Sequence, residues 1–161
     1  MKYALLFLIG LLSAAPAIAD PIPCTSTPSA AVSHFVTHNN EYGGHVNAHV
    51  LGQTPPNGYS QFNRTLFASD VIYEQAWTAL ENDDPPLYCV ESPQIGAEAA
   101  RSIQLDLNSR QCTNANIAGV CTASNAVVTR YVRFTFRAVP KGQGSQGAKW
   151  ILYTAYPAAT P

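Results

Sequence analysis

Net charge is nearly missing from this chain: ten acidic residues stand against nine basic ones, a formal balance of −1 with histidine neutral. Global charge therefore gives no argument for nucleic acid, and any such partner must be met by local placement of cations. No two cysteines stand in the C-x-x-C spacing that zinc favours. Past Leu12 no apolar run is long enough for a transmembrane helix. No internal repeat is present, and no linker divides the sequence.

What is there begins with "MKYALLFLIGLLSAAPAIADPIP". A lysine, an apolar run from Ala4 to Leu12 and the small-residue signal Ala17-Ile18-Ala19 predict a secretory signal peptide over residues 1–19. Residues 20–161 then have the length of a single domain, expected to be a secreted or periplasmic monomer with no membrane contact after cleavage. Export carries Cys24, Cys89, Cys112 and Cys121 into an oxidising compartment, which favours two disulfides over a metal site. Of the three possible pairings, Cys112 with Cys121 and Cys24 with Cys89 are preferred. The first closes the polar loop "CTNANIAGVC", and the second pins the N-terminal segment to the middle of the chain. Each bond contributes roughly 2–4 kcal/mol. Asn63-Arg64-Thr65 is a glycosylation sequon, relevant only in a eukaryotic source.

The first half has a helical period. "TPSAAVSHFVTHNN" predicts a first helix ending near Asn39, with Thr27 as cap, Pro28 as first helical residue, and Val32, Phe35 and Val36 on one face. "GGHVNAHVLG" predicts a second short helix with His45 and His49 at i and i+4, both rings on one side. After a turn region, "RTLFA" is extended. Ser69 or Asp70 caps a third helix whose stripe is Ile72, Ala76, Ala79 and Leu80, stopped by Asp83, Asp84 and two prolines. Asp70 and Glu74 lie early in it, where its dipole favours them.

The second half alternates. "SIQLDLN" sets Ile103, Leu105 and Leu107 on one side. In "VVTRYVRFTFRAV", Val128, Val132, Phe134, Phe136 and Ala138 face one way, and Tyr131, Arg133, Thr135 and Arg137 the other. The glycine-rich "PKGQGSQGAK" returns the chain as a hairpin into "WILYTAYP", where alternation gives Trp150, Leu152, Thr154 and Tyr156 a common face. The expected fold is α+β: N-terminal helices packed on a C-terminal antiparallel sheet, one disulfide-stapled domain.

The groups fit for chemistry are concentrated. All four histidines, His34, His38, His45 and His49, fall within one short stretch, and imidazole is the side chain best suited to proton transfer near neutral pH. For His34 and His38 a surface or hydrogen-bonded structural role is the preferred reading; for the glycine-flanked pair the structural and functional readings stay level. His-x-x-x-His on a helix can bind zinc, but no glutamate follows the first histidine and no third ligand stands nearby, so no metal and no cofactor are expected. Arg133 and Arg137, with Tyr131 and Thr135 between, read either as an ordinary solvated strand face or as a strip that binds substrate phosphate through guanidinium forks.

"GGHVNAHV", "RTLFASDVIYEQAWTAL", "VRFTFRAV" and "WILYTAYP", in this order from Tyr42 to Pro157, resemble the bacterial RNase A-like toxin domains of contact-dependent inhibition proteins. The related barnase, EndoU and colicin-type toxin ribonucleases often close with a similar Thr-x-Tyr-Pro strand. The resemblance implies a catalytic set of His49, Thr154 and Tyr156 with a downstream arginine, for which Arg64 is the first candidate and Arg133 the second. His45 and His49 are not ranked against each other. It further implies an RNA-binding endonuclease, a toxin or effector hydrolase, with RNA as substrate and a cognate immunity or inhibitor protein as a further partner. In the implied reaction a neutral histidine takes the proton of an RNA 2′-hydroxyl, which attacks the adjacent phosphorus and leaves a 2′,3′-cyclic phosphate and a 5′-hydroxyl. The arginine holds the phosphate, while Thr154 and Tyr156 hydrogen-bond it or position the leaving oxygen. Two alternatives stand beside this one: a non-catalytic secreted binding module that retains the fold, and a nucleotide-processing hydrolase.

Overall fold

Two long strands carry most of the structure. β4 (Glu98–Ala115) and β5 (Cys121–Pro140) pair antiparallel, and β6 (Ala148–Ala158) continues the sheet on the far side of β5. β2 (Thr65–Phe67) pairs with β4, giving a four-stranded antiparallel order β2-β4-β5-β6. β1 (Ile22–Pro23) and β3 (Tyr88–Cys89) form a separate two-stranded ribbon. The computed structural model describes residues 21–143 and 145–161; the signal peptide expected over residues 1–19 lies outside the described residues, and so does Gly144 of the β5–β6 hairpin loop.

Three α-helices precede β3: α1 (Ala30–Ser33), α2 (Val36–Asn39) and α3 (Asp70–Glu81). The fold is α+β, as alternation in the second half and helical period in the first predict. In α3 the Ser69 hydroxyl caps the first turn by accepting from the Ile72 amide at 3.3 Å. Its buried residues, Tyr73, Ala76, Trp77 and Leu80, follow helical spacing. Trp77 meets Phe134 and Phe136 of β5 at ring-centroid distances of 6.3 and 6.2 Å, and Tyr73 meets Phe67 at 5.4 Å. The stripe thus centres on Tyr73 and Trp77, with Ile72 and Ala79 only partly buried at its margins.

The other two helical expectations need correction. Phe35 takes an extended conformation (φ −58°, ψ 124°) and splits the expected first helix into α1 and α2. Val36 is then buried while Val32 and Phe35 stay exposed, so the three share no face. Thr27 donates its hydroxyl to the Cys24 carbonyl at 2.9 Å and does not cap a helix. The second expected helix is a single 3-10 turn, Val46–His49, with His45 at its start.

The sheet departs from strict alternation where its register shifts. β4 carries an irregularity between Gln104 and Leu107, opposite Arg130. Beyond it the buried side of β5 changes: Thr129 is buried and Val128 is exposed, contrary to the row expected for Val128. Ile103 and Leu107 are buried as expected, with Leu105 only partly so. A bulge breaks phase by setting an extra residue in one strand, and nothing in the composition of "SIQLDLN" marks it.

Both disulfides follow the preferred pairing, Cys24–Cys89 and Cys112–Cys121. The first holds the β1–β3 ribbon together, and the second closes the turn between β4 and β5. No helix among the described residues is long and apolar enough to cross a membrane.

Candidate active site

The N-terminal segment reaches the sheet by satisfying the outer edge of β6. The Leu152 amide donates to Ser33 Oγ at 2.8 Å, the Leu152 carbonyl accepts from Asn39 Nδ2 at 2.7 Å, and the Tyr153 carbonyl accepts from the His45 amide at 2.8 Å. Asn39 is fully buried, and its side chain also donates to the Ser33 carbonyl and accepts from the Val46 amide. Such a side chain does the work of a neighbouring strand, since a buried edge group left unpaired is costly. The two glycines make this possible. Gly43 sits at φ +90°, and a Cβ on Gly44 would lie 2.3 Å from Asn39 Oδ1. The result is that His45 and the following turn are fastened against β6.

A second buried amide fixes the other end of the turn. Gln61 Nε2 donates to the carbonyls of Asn47, Val50 and Gln53 at 2.7–3.0 Å, and Gln61 Oε1 accepts from the Cys121 amide at 2.9 Å. Val50 bridges to Phe67 of β2, and the Leu51 amide donates to the Phe67 carbonyl at 3.0 Å. The histidine turn is thereby tied to β6, to β2 and to the disulfide-closed turn.

The hydroxyl pair of β6 reaches this region through a bulge. Thr135 pairs with Thr154, but Phe136 pairs with Leu152, so Tyr153 is the extra residue. Trp150 and Leu152 therefore sit with Ala138 and Phe136 on the α3 side. Thr154 and Tyr156 instead sit opposite Thr135 and Arg133, on the cationic side. This corrects the single face expected from alternation, and it places the hydroxyls on the same side as the arginine strip of β5.

The side chains then converge. His45 and His49 are 6.0 Å apart between ring centroids, and His49 lies 5.2 Å from Tyr156. His45 stacks on Tyr59 at 4.4 Å and meets Tyr153 edge-on at 4.6 Å. The Tyr59 and Tyr153 hydroxyls are 3.4 Å apart. Both histidines are buried, as is Thr154, and His45 Nδ1, His49 Nδ1 and Thr154 Oγ1 have no hydrogen-bond partner among the described residues. Each such buried atom calls for an explanation, such as an ordered water, an ion or a catalytic role.

Burial and nearby cations keep both imidazoles neutral. Burial, then the Arg64 and Arg137 guanidiniums, bring His45 down to about 4. Burial, then Arg64 and His45, bring His49 down to about 3, against a partly offsetting backbone interaction with Thr65. Arg64 thus disfavours imidazolium at both rings through its charge. Its Nε donates to the Ser60 carbonyl at 2.6 Å, and among the described residues neither Arg64 nor Arg133 forms an ion pair.

The expected residues therefore divide. His45, His49 and Tyr156 meet at one place, Thr154 lies two residues from Tyr156 on the same side of β6, and the Arg64 charge lowers both histidines. Arg133 stands beside Tyr156 on an exposed strand position, and Tyr131 follows it along the same row, opposite Ala158. Arg137 is engaged: it pairs with Glu98, and its guanidinium carbon lies 3.5 Å over the Tyr153 ring. His34 stacks flat on Trp77 at 4.5 Å with Nδ1 3.0 Å from the Ala31 carbonyl, and His38 is exposed beside Glu41. These partners lie outside the cluster and suit a structural role. Tyr59, Tyr153 and Gln61 were missed. Tyr153 lies inside "WILYTAYP" but only the bulge turns it to the site, and Tyr59 and Gln61 lie in turn sequence without a periodic signal.

Among the described residues no group of three or more His, Cys, Asp or Glu side chains converges as metal ligands would. The rings pack closely. A cavity of about 570 Å³ lies between Thr27, Glu91, Lys141 and Trp150, and one of about 330 Å³ shares Tyr59 with the cluster. No protein family, curated protein or solved structure compared with the chain matches it.

Proposed function

We propose that the chain is a metal-independent endoribonuclease that cleaves RNA by transphosphorylation from the 2′-hydroxyl. The observation that carries the reading is the meeting of two neutral, buried imidazoles with Tyr156, beside the unpartnered Thr154 hydroxyl on the same strand and within the influence of the Arg64 charge. A neutral imidazole takes the 2′-hydroxyl proton as that oxygen bonds to phosphorus. The bond from phosphorus to the 5′-oxygen breaks, and the leaving oxygen receives a proton, giving a 2′,3′-cyclic phosphate and a 5′-hydroxyl. Arg64 holds the non-bridging oxygens, and the hydroxyls of Thr154 and Tyr156 donate to the phosphoryl group or to the leaving oxygen. A bound phosphodiester also draws both histidines up from their low values, so that in the complex one, protonated from solvent, gives its proton to the leaving 5′-oxygen while the other, neutral, takes the 2′-hydroxyl proton. Arg133 and Tyr131 extend the contact along β5. Because the nucleophile belongs to the substrate, DNA is not cleaved.

The two disulfides are consistent with an oxidising location, and secretion or residence in the periplasm is part of the proposal, as is a role as toxin or effector with an immunity or inhibitor protein. Incubation of the disulfide-intact protein with RNA in EDTA tests the reading. Fragments ending in cyclic phosphate are expected, with rates lowered by about 10²–10⁴ in His49→Ala or His45→Ala. RNA left intact, or cut equally by the variants, sinks it.

One observation favours a second reading, a binding module that keeps the fold without the chemistry. His45 is closed in between Tyr59 and Tyr153, which leaves its ring little exposed. RNA that is bound but stays intact under the same conditions would favour this module. Release of products from mononucleotides but not from RNA would instead indicate a nucleotide-processing hydrolase.

A further inference from the structure

The cavity of about 330 Å³ that shares Tyr59 with the histidine cluster lies between the Thr54–Ser60 loop and the Asn116–Gly119 turn. No charged side chain bounds it, although the His45 ring stacks on Tyr59 at 4.4 Å and His49 lies 6.0 Å beyond His45. Pro55, Asn57, Tyr59, Asn116 and Ile117 are among the residues that line it. Its volume is at the lower end of the range for small-ligand pockets, about 300 Å³ upward.

The cavity is preformed. The Asn116 side chain accepts from the amides of Ala118 and Val120 at 3.0 Å each, and the Gln61 amide donates to the Gly119 carbonyl at 2.8 Å. A Cβ on Gly119 would come within 2.8 Å of the Tyr59 carbonyl oxygen, so the two loops touch backbone to backbone. Cys112–Cys121 closes the turn from behind. At its rim Ile117 is fully exposed, a large apolar side chain held out on a rigid loop with nothing over it.

We propose that this cavity is a nucleobase subsite, which takes the base of the nucleotide whose phosphate lies at the histidine cluster. A ligand with an anionic part for Arg64 and a neutral, planar, hydrogen-bonding part for the cavity is a nucleotide. The base stacks against Tyr59 and Ile117, and its edge meets the Asn57 amide, which offers both a donor and an acceptor. The inference rests on the ribonuclease reading for the position of the phosphate, and its test is separable from that reading.

The test uses folded His49→Ala protein and nuclear magnetic resonance. The probes are dinucleoside monophosphates carrying 2′-deoxyribose at the scissile position, one for each base, and an abasic sugar phosphate. The base-bearing probes are expected to shift the amides of Asn57, Tyr59 and Ile117, and the abasic probe to leave them in place. Ile117→Ser combined with Asn57→Ala, both on exposed loop positions, should weaken the base-bearing probes roughly tenfold, about one stacking contact. The abasic affinity should stay unchanged. Equal shifts with the abasic probe, no shift at these amides, or unchanged affinity in the double variant overturns the proposal. If the loop shifts occur but wild-type protein leaves RNA intact, the nucleobase site stands and the ribonuclease reading falls. Cleavage without loop shifts gives the reverse.

Discussion

His49 is held neutral by its surroundings: desolvation removes the charged form, and Arg64 and His45 disfavour it further. Because kcat/KM reports the free enzyme, its acid limb is expected below about pH 5, well under that of an ordinary histidine at about 6.5. The limb in kcat should lie at higher pH, since bound phosphate favours imidazolium. A stopped-assay profile of both parameters checks this; coincident limbs near pH 6.5 would contradict it. Thr154 provides a second contrast at this scale. Its hydroxyl is buried and unpartnered, so Thr154→Val should leave the thermal midpoint unchanged or slightly raised while cleavage is abolished. The same residues were legible in the sequence for a simple reason. His45 and His49 sit four apart between glycines, a spacing that sets both rings on one side of a helix; in the structure the turn is 3-10, with a different period, and the rings meet because His45 lies just outside it in a non-helical conformation. Tyr59 carried no such signal, because its place against His45 is set by tertiary contact alone.

Among the elements, the turn holding the histidines depends on Asn39 and on the absence of a side chain at Gly44. Gly44→Ala sets a methyl against the buried Asn39 amide and should cost about 1–3 kcal/mol, with loss of cleavage as His45 is displaced. Asn39→Ala leaves the Val46 amide and the Ser33 and Leu152 carbonyls without their partner, and should cost about 3 kcal/mol or more. Urea denaturation of both variants measures these effects. α3 and the long strands were readable because their apolar period persists over many residues. The bulge at Tyr153 was not, since it inserts one residue into an otherwise regular alternation. Strict alternation put Thr154 in line with Leu152, whereas the register pairs it with Thr135. The split of the first helix at Phe35 escaped in the same way: nothing local forbids helix there, and burial of Val36 decides it.

For the whole molecule, function and acid stability pull against each other. In the folded state His45 and His49 titrate at about 4 and about 3, against roughly 6.5 when unfolded. Below pH 6.5 the unfolded chain binds more protons, so the stability held above that pH is lost progressively as pH falls through the window. The thermal midpoint should therefore drop between pH 7 and pH 4, and less steeply in His49→Gln. The disulfide pairing was legible from spacing and export, and Cys24→Ser with Cys89→Ser should cost about 2–4 kcal/mol. The way the two amides, Asn39 and Gln61, gather distant segments around the histidines was not legible, because each acts across the fold and not along the chain.

The most direct measurement is the product of a single RNA dinucleotide incubated in EDTA with folded wild-type protein and with His49→Ala. The expected result is a nucleoside 2′,3′-cyclic phosphate from the wild type, at a rate about 10²–10⁴ times that of the variant, and no product from the 2′-deoxy dinucleotide. An intact dinucleotide with the wild type, or cleavage of the 2′-deoxy substrate, would contradict it.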